Sequence, residues 1–415
     1  MMRSTIPRRP QEVPRLPAFV FPGQGAQKPG MGRHWTEHPS WEIVEDASVA
    51  ADRDIGHLLL DASVEELTET RNAQLATFTF SLVILDAVER LGIEPTRVAG
   101  HSVGEYTALA ASGALGFEDS VRVVAERGEA MQAAADAQPG VMSVVVGADA
   151  DTVDVACRLA DGEVWVANFN SAEETVIAGD STSVERAGTI ALDLGARKVT
   201  PVSVGGAFHT PFMAPARNRL RKILSTTTFH DVDIPVVANV DARIHTSPDD
   251  WHLLLSAQLC SPIRWRQSIM RLGGLDPDVD SEHLFVELGP GDALCIMVRH
   301  TLPSVATLAV SAPADLDRLV DAVSGDSALH EYALGHQGEL LYVSERMVIS
   351  PAAGVFEAVG DEDLAAGTTI EVGTLLGTVS GTEVRSQFAG ELMGHLARPG
   401  ERVQTGQPIA WLHAS

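Results

Sequence analysis

The chain has 415 residues, 45% hydrophobic and 21% charged, the composition of a globular protein with room for two or three domains that bury their own cores. A formal charge of -26 argues against nucleic acid or an anionic membrane as a general partner, and no apolar run is long enough for a helical membrane span. Cys157, Cys260 and Cys295 are scattered and odd in number, so they match neither a metal spacing nor a disulfide framework and fit a reducing cytoplasm.

Residues 1–15 are basic and Pro-rich without an apolar core, which predicts a disordered arm rather than a secretory leader. AFVFPGQG (18–25) reads as a buried strand entering a Gly/Pro turn. Residues 73–91 are apolar nearly all round, the pattern of a helix deep in the structure. In RVAGHSVGEYTALAASGAL (97–115), a strand ends at Ala99, the chain turns over His101–Val103, and a small-residue helix begins at Gly104. Strand–turn–helix units in series predict an α/β core with a parallel sheet. Residues 133–205 read strand, helix, strand, strand, helix, strand, the ferredoxin-like βαββαβ order, as a subdomain inserted into a domain spanning 16–325. After a linker at 326–346 the pattern becomes short strands with frequent Gly turns. There SPAAGVFEAV (350–359) echoes SQFAGELMGHL (386–396), which points to a pseudo-symmetric, all-β flattened barrel over 347–415.

Gly100-His101-Ser102-Val103-Gly104 is a G-x-S-x-G pentapeptide. Its glycines leave room for a strained elbow that lifts the serine oxygen above the strand ends, with a helix N-terminus aimed at an incoming oxyanion. A turn with an incidental serine is the alternative, and the strand before and helix after favour the nucleophile. A serine needs a base. His209, in the Gly-rich stretch VGGAFHTPFM where the chain re-enters the core, leads among the histidines. His101 is a rival, but it neighbours Ser102 on the elbow and is expected to point away.

FPGQG (21–25), GHSVGEY (100–106), ERGEAMQ (126–132), NFNSAEETVIAG (168–179), GAFHTPFM (206–213), QLCSPIRW (258–265) and VELGPG (286–291) follow one another in order. Together they resemble the malonyl-CoA:acyl-carrier-protein transacylases and the acyltransferase domains of polyketide synthases, over residues 16–325. The resemblance implies an α/β-hydrolase-like core with a ferredoxin-like insertion. It implies Ser102 as the acylated nucleophile, His209 as base, and the backbone N–H groups of Gln24 and Val103 as oxyanion hole. Arg127 matches the arginine that binds the malonyl carboxylate. Gln74 is expected near that arginine, Gln258 near the histidine, and Asn168 belongs to the site motif. Phe208 before the histidine and Val103 after the serine look like the malonyl rather than the methylmalonyl type, because a bulky Phe208 fills space that an α-methyl needs. The expected reaction is ping-pong transfer of malonyl from malonyl-CoA to the phosphopantetheine thiol of an acyl carrier protein through malonyl-Ser102, with no bound metal or cofactor. An acyl hydrolase that edits carriers and a non-catalytic assembly subunit are the alternatives.

An acidic carrier needs a basic landing patch on this acidic chain. Arg217, Arg219, Arg221 and Lys222, with Arg264 and Arg266, are the candidates. Residues 347–415 resemble biotinyl/lipoyl carrier domains, whose cofactor lysine sits on a hairpin between two halves. The corresponding SGTEVRSQ (380–387) has no lysine, and none occurs after Lys222, so no biotin or lipoate attachment is expected. The domain is read as a docking or assembly module, with a purely structural relic as the alternative.

Overall fold

A computed structural model of the chain describes residues 17–232, 234–274, 284–324, 345–359, 367–386, 388–403 and 407–413. The expected arm at 1–15 and nearly all of the linker at 326–346 lie outside these residues. The chain divides into two compact units, one holding the elements up to Ser324 and the other those from Glu345.

The larger unit is α/β. Its main sheet runs in the order Ala306–Val310, Leu284–Leu288, Pro17–Phe21, Arg97–Gly100, Val236–Val237, Ile244–His245. The first five strands are parallel and the last turns back antiparallel. Pro17–Phe21 and Leu284–Leu288 are buried throughout, as central parallel strands must be when both faces are covered. The helix Thr70–Glu89 is buried from Asn72 to Val88, which accounts for its lack of a polar face. The helix Phe117–Ala137 runs past the expected insertion boundary at 133, so the inserted segment opens only at the strand Val141–Val146.

That segment continues with the helix Ala150–Leu159, the strands Val164–Phe169 and Glu174–Gly179, the helix Ser181–Asp193 and the strand Lys198–Val202. Its sheet is antiparallel, with Glu174–Gly179 and Val141–Val146 central and Val164–Phe169 and Lys198–Val202 at the edges. Val145, Val153, Ile177 and Val184 sit in a core of its own between sheet and helices. The edge strand is tied to the main domain where Phe169 N–H donates to Ile263 O and Ile263 N–H to Ala167 O, at 2.8 and 2.9 Å.

The smaller unit has two four-stranded sheets. One orders Glu345–Ile349, Pro408–His413, Gly390–His395 and Thr369–Ile370; the other orders Thr382–Arg385, Leu375–Val379, Gly354–Ala358 and Arg402–Val403. Phe356, Leu376, Leu392, Ile409 and Leu412 are buried together in its core. The lysine-free hairpin turns on Ser380 and Gly381, both at positive φ (50° and 84°), the geometry of a two-residue turn that matches strand twist.

Candidate active site

The G-x-S-x-G segment joins the strand Arg97–Gly100 to the helix Gly104–Ala111 in one sharp turn. A Cβ at Gly100 would lie 1.8 Å from Gly104 O, and one at Gly104 would lie 2.2 Å from Phe21 O, so both positions demand glycine. Ser102 between them is held left-handed, at φ 56°, a conformation costing about 1–2 kcal/mol for a residue with a Cβ. His209 is likewise left-handed, at φ 61°. It is followed by Thr210, whose hydroxyl donates to Ala207 O and accepts from Phe212 N–H.

These two strained residues meet. Ser102 Oγ lies 2.9 Å from His209 Nε2, and both side chains are buried. His209 Nδ1 lies 2.9 Å from the main-chain oxygen of Gln258. A carbonyl only accepts, so Nδ1 carries the proton and Nε2 presents its lone pair to the serine hydroxyl. Burial, chiefly, with the Arg127 charge second, pushes the His209 pKa down to about 3 against the Gln258 carbonyl. The imidazole is therefore neutral, the form that can take a proton.

Arg127 comes from the middle of the helix Phe117–Ala137 and is fully buried. Its Nη1 donates to Gln74 Oε1, and its Nη2 donates to Gln258 Oε1 at 2.8 Å and to Ser102 Oγ at 3.1 Å. Its Nε is buried without an acceptor among the described residues. A guanidinium with a spare donor beside a nucleophile has the geometry to take a carboxylate. Gln74 and Gln258 thus lie on Arg127, and Gln258 reaches both the arginine and the histidine.

A cavity of about 280 Å³ opens over Ser102 and His209, lined also by Gln24, Asn168 and Phe208. Asn168 Oδ1 is buried without a donor among the described residues. The backbone N–H groups of Gln24 and Val103 make no bond within the protein among the described residues, as free oxyanion donors would. His101 also lines this cavity but is held by other partners than Ser102: its Nε2 is 3.2 Å from Asn170 Oδ1, its ring meets Trp265 edge-on, and burial pushes its pKa down to about 4. No group of His, Cys, Asp and Glu among the described residues is arranged to hold a metal.

Two site residues were missed in the sequence. Glu105 is fully buried, with burial above all pushing its pKa up to about 7. Asn239 is also fully buried; its Oδ1 accepts Ser102 N–H at 2.8 Å and its Nδ2 donates to Gly100 O at 2.7 Å. The one available signal was a lone charged residue in GEYTALAA; Asn239 carried none.

Comparison with known proteins agrees with this geometry. The acyl transferase domain family matches residues 18–323. The chain belongs to the acyl transferase family, among the malonyl-CoA:acyl-carrier-protein transacylases. It is 35% identical over 315 residues to the malonyl CoA-acyl carrier protein transacylase of Bacillus subtilis, spanning 75% of this chain and 98% of that protein. To the enzyme of that name from Escherichia coli K12 it is 36% identical over 303 residues, 71% and 96% of the two chains. Among solved structures, an acyl carrier protein S-malonyltransferase from Vibrio cholerae superposes with a TM-score of 0.69 at 34% identity, over 73% of this chain and 99% of that one. A malonyl-transacylase in complex with its type II polyketide synthase acyl carrier protein superposes with a TM-score of 0.70 at 32% identity, over 75% and 100%. Among the described residues no helix is long and apolar enough to cross a membrane.

The basic cluster is less free than its sequence implies. Arg219 makes a two-pronged ion pair with Glu126, at 2.6 and 2.9 Å, and Arg264 donates to Val240 O and lies over the Phe169 ring.

Proposed function

We propose that this acyltransferase moves malonyl from malonyl-CoA to the phosphopantetheine thiol of an acyl carrier protein, with Ser102 as nucleophile and His209 as base. The observation that carries the reading is the Ser102 oxygen, held between a neutral imidazole and a buried guanidinium. His209 Nε2 takes the hydroxyl proton as Oγ attacks the thioester carbonyl. The oxyanion is held by the N–H groups of Gln24 and Val103, each donor worth roughly 3 kcal/mol of barrier. The C–S bond breaks, coenzyme A leaves with the proton from His209, and malonyl-Ser102 remains. The carrier thiol repeats the sequence in reverse.

Arg127, with Gln74 and Gln258 fixing its plane, holds the free carboxylate. Asn168, with its unpartnered oxygen, accepts from an amide of the pantetheine arm. Phe208 limits space at the α-carbon. An acetyl group leaves Arg127 without its anion, and a carboxylate clamp has little use in a hydrolase that strips assorted acyl groups. Arg221 and Lys222, with Arg217 and Arg266, receive the carrier.

We read the larger unit as an α/β-hydrolase-like core at 16–325. Its antiparallel segment is a ferredoxin-like insertion, supported by the two central strands being its first and third. The two small sheets at 347–415 support a biotinyl/lipoyl-like fold, used for docking to a multienzyme assembly and not for carrying biotin or lipoate. Three free cysteines fit a cytoplasmic protein. Initial rates with malonyl-CoA and holo carrier protein test the reaction: parallel double-reciprocal lines support the covalent intermediate, and lines that intersect contradict it.

A further inference from the structure

We propose that Glu105 is the positioning residue of this site, setting the nucleophile through Asn239 and both the base and the guanidinium through Gln258. The proposal rests on the acyltransferase reading and adds a residue to it. Both oxygens of the buried carboxylate are occupied. Oε1 accepts the backbone N–H of Asn239 at 2.7 Å, and Oε2 accepts from Gln258 Nε2. Asn239 in turn holds the entry to the elbow, accepting from Ser102 N–H and donating to Gly100 O, on either side of His101. These bonds hold the left-handed Ser102 against its own strain.

Gln258 is the second arm. Its Nε2 also donates to Ser102 O at 2.9 Å, its Oε1 accepts from Arg127, and its main-chain oxygen orients His209. An amide can sit either way round, and only its partners decide. Here the acceptor-only carbonyl of Ser102 at one end and a donor-only guanidinium at the other permit a single orientation, which turns the NH₂ to Glu105 as well. Nucleophile, base and guanidinium are therefore each one hydrogen-bonded residue from Glu105. A glutamine at 105 keeps the shape but accepts at one oxygen, and turns an NH₂ toward the other donor.

A second role would be merely structural, since an acid in the first turn favours its helix. The two roles separate in Glu105→Gln. We would measure three quantities: the rate at which a fluorophosphonate labels Ser102, the preference for malonyl-CoA over acetyl-CoA in acylation, and the thermal midpoint. The proposal predicts labelling slowed at least about 10-fold and a preference reduced at least about 10-fold. An unchanged labelling rate, or malonyl and acetyl acylation falling equally with the midpoint, overturns it. Gln258→Met serves where Glu105→Gln does not fold: it cuts the arm to Arg127 and leaves the main-chain acceptor of His209. Its malonyl preference should fall more than its labelling rate, and an intact preference overturns the proposal. Fluorophosphonate labelling needs no acyl substrate, so it judges Glu105 even where wild-type protein takes no malonyl group, a result that would defeat the functional reading alone.

Discussion

Arg127 Nη2 donates to Ser102 Oγ at 3.1 Å, the same oxygen that faces His209 Nε2 at 2.9 Å. One atom thus gives its proton to a base and receives a hydrogen bond from a cation. Once acylated, that oxygen carries no proton and is a weaker acceptor. The guanidinium can then turn its donors, including the unpartnered Nε, to the carboxylate two carbons along the acyl chain. Arg127→Ala removes a charged clamp worth about 2–3 kcal/mol, so malonylation of Ser102 should slow about 30- to 150-fold. Acetylation should hold or rise, as measured by single-turnover acylation with each thioester. An equal loss for both would mean that Arg127 serves the nucleophile alone.

Phe208 lines the cavity beside His209 and is itself buried. Phe208→Ser opens room for one methyl, a difference of roughly 1–3 kcal/mol in such pockets. Acylation by methylmalonyl-CoA relative to malonyl-CoA should rise about 10-fold. A ratio that stays at its wild-type value would move the α-carbon pocket elsewhere.

His209 makes the protein less stable in acid. Its pKa in the fold is pushed down to about 3, whereas in the unfolded chain it is near 6.5. Between those values the unfolded state binds a proton that the folded state refuses, so stability falls as pH falls, by about 1.4 kcal/mol per pH unit. Glu105, pushed up to about 7, has the opposite sign over part of that window. It is present in both proteins and cancels in a comparison with His209→Gln. Urea unfolding of the two proteins from pH 4 to 6 should give slopes that differ by that amount, and parallel slopes would mean that His209 is charged in the fold.

The basic residues proposed to receive the carrier divide by their partners. Arg219 is spent on Glu126, an exposed pair worth at most about 1 kcal/mol. Arg221→Glu and Lys222→Glu should raise KM for the carrier several-fold and leave KM for malonyl-CoA alone. Arg219→Glu should also perturb the helix contact with Glu126, visible as a lower thermal midpoint. Equal effects of Arg221→Glu on both substrates would remove this helix as the landing surface.

Ser102, His209 and Arg127, which the fold brings together, could be singled out in the sequence because each is a residue type that the expected chemistry requires, set in motifs rich in glycine. The role of Gln258 was half legible. Its amide could be placed near the histidine, but any residue at 258 offers the main-chain oxygen that orients His209, so side-chain chemistry gives no sign of it. Asn239 follows the two-residue strand Val236–Val237 and reaches the elbow only because that strand pairs beside Arg97–Gly100, a tertiary fact. Glu105 was visible but read as part of a motif, since a glutamate in a first helical turn is ordinary at a surface and only burial gives it meaning. The boundary at 133 fell inside a helix because Ala-rich sequence at 133–137 continues the helix as readily as it ends it.

The most direct test of the acyltransferase reading is the intact mass of pure protein incubated without carrier, separately with malonyl-CoA, acetyl-CoA and methylmalonyl-CoA. The geometry predicts one malonyl adduct, lost in Ser102→Ala, with acetyl and methylmalonyl adducts minor. Release of free coenzyme A with no adduct from any of the three would make the protein a hydrolase and contradict it.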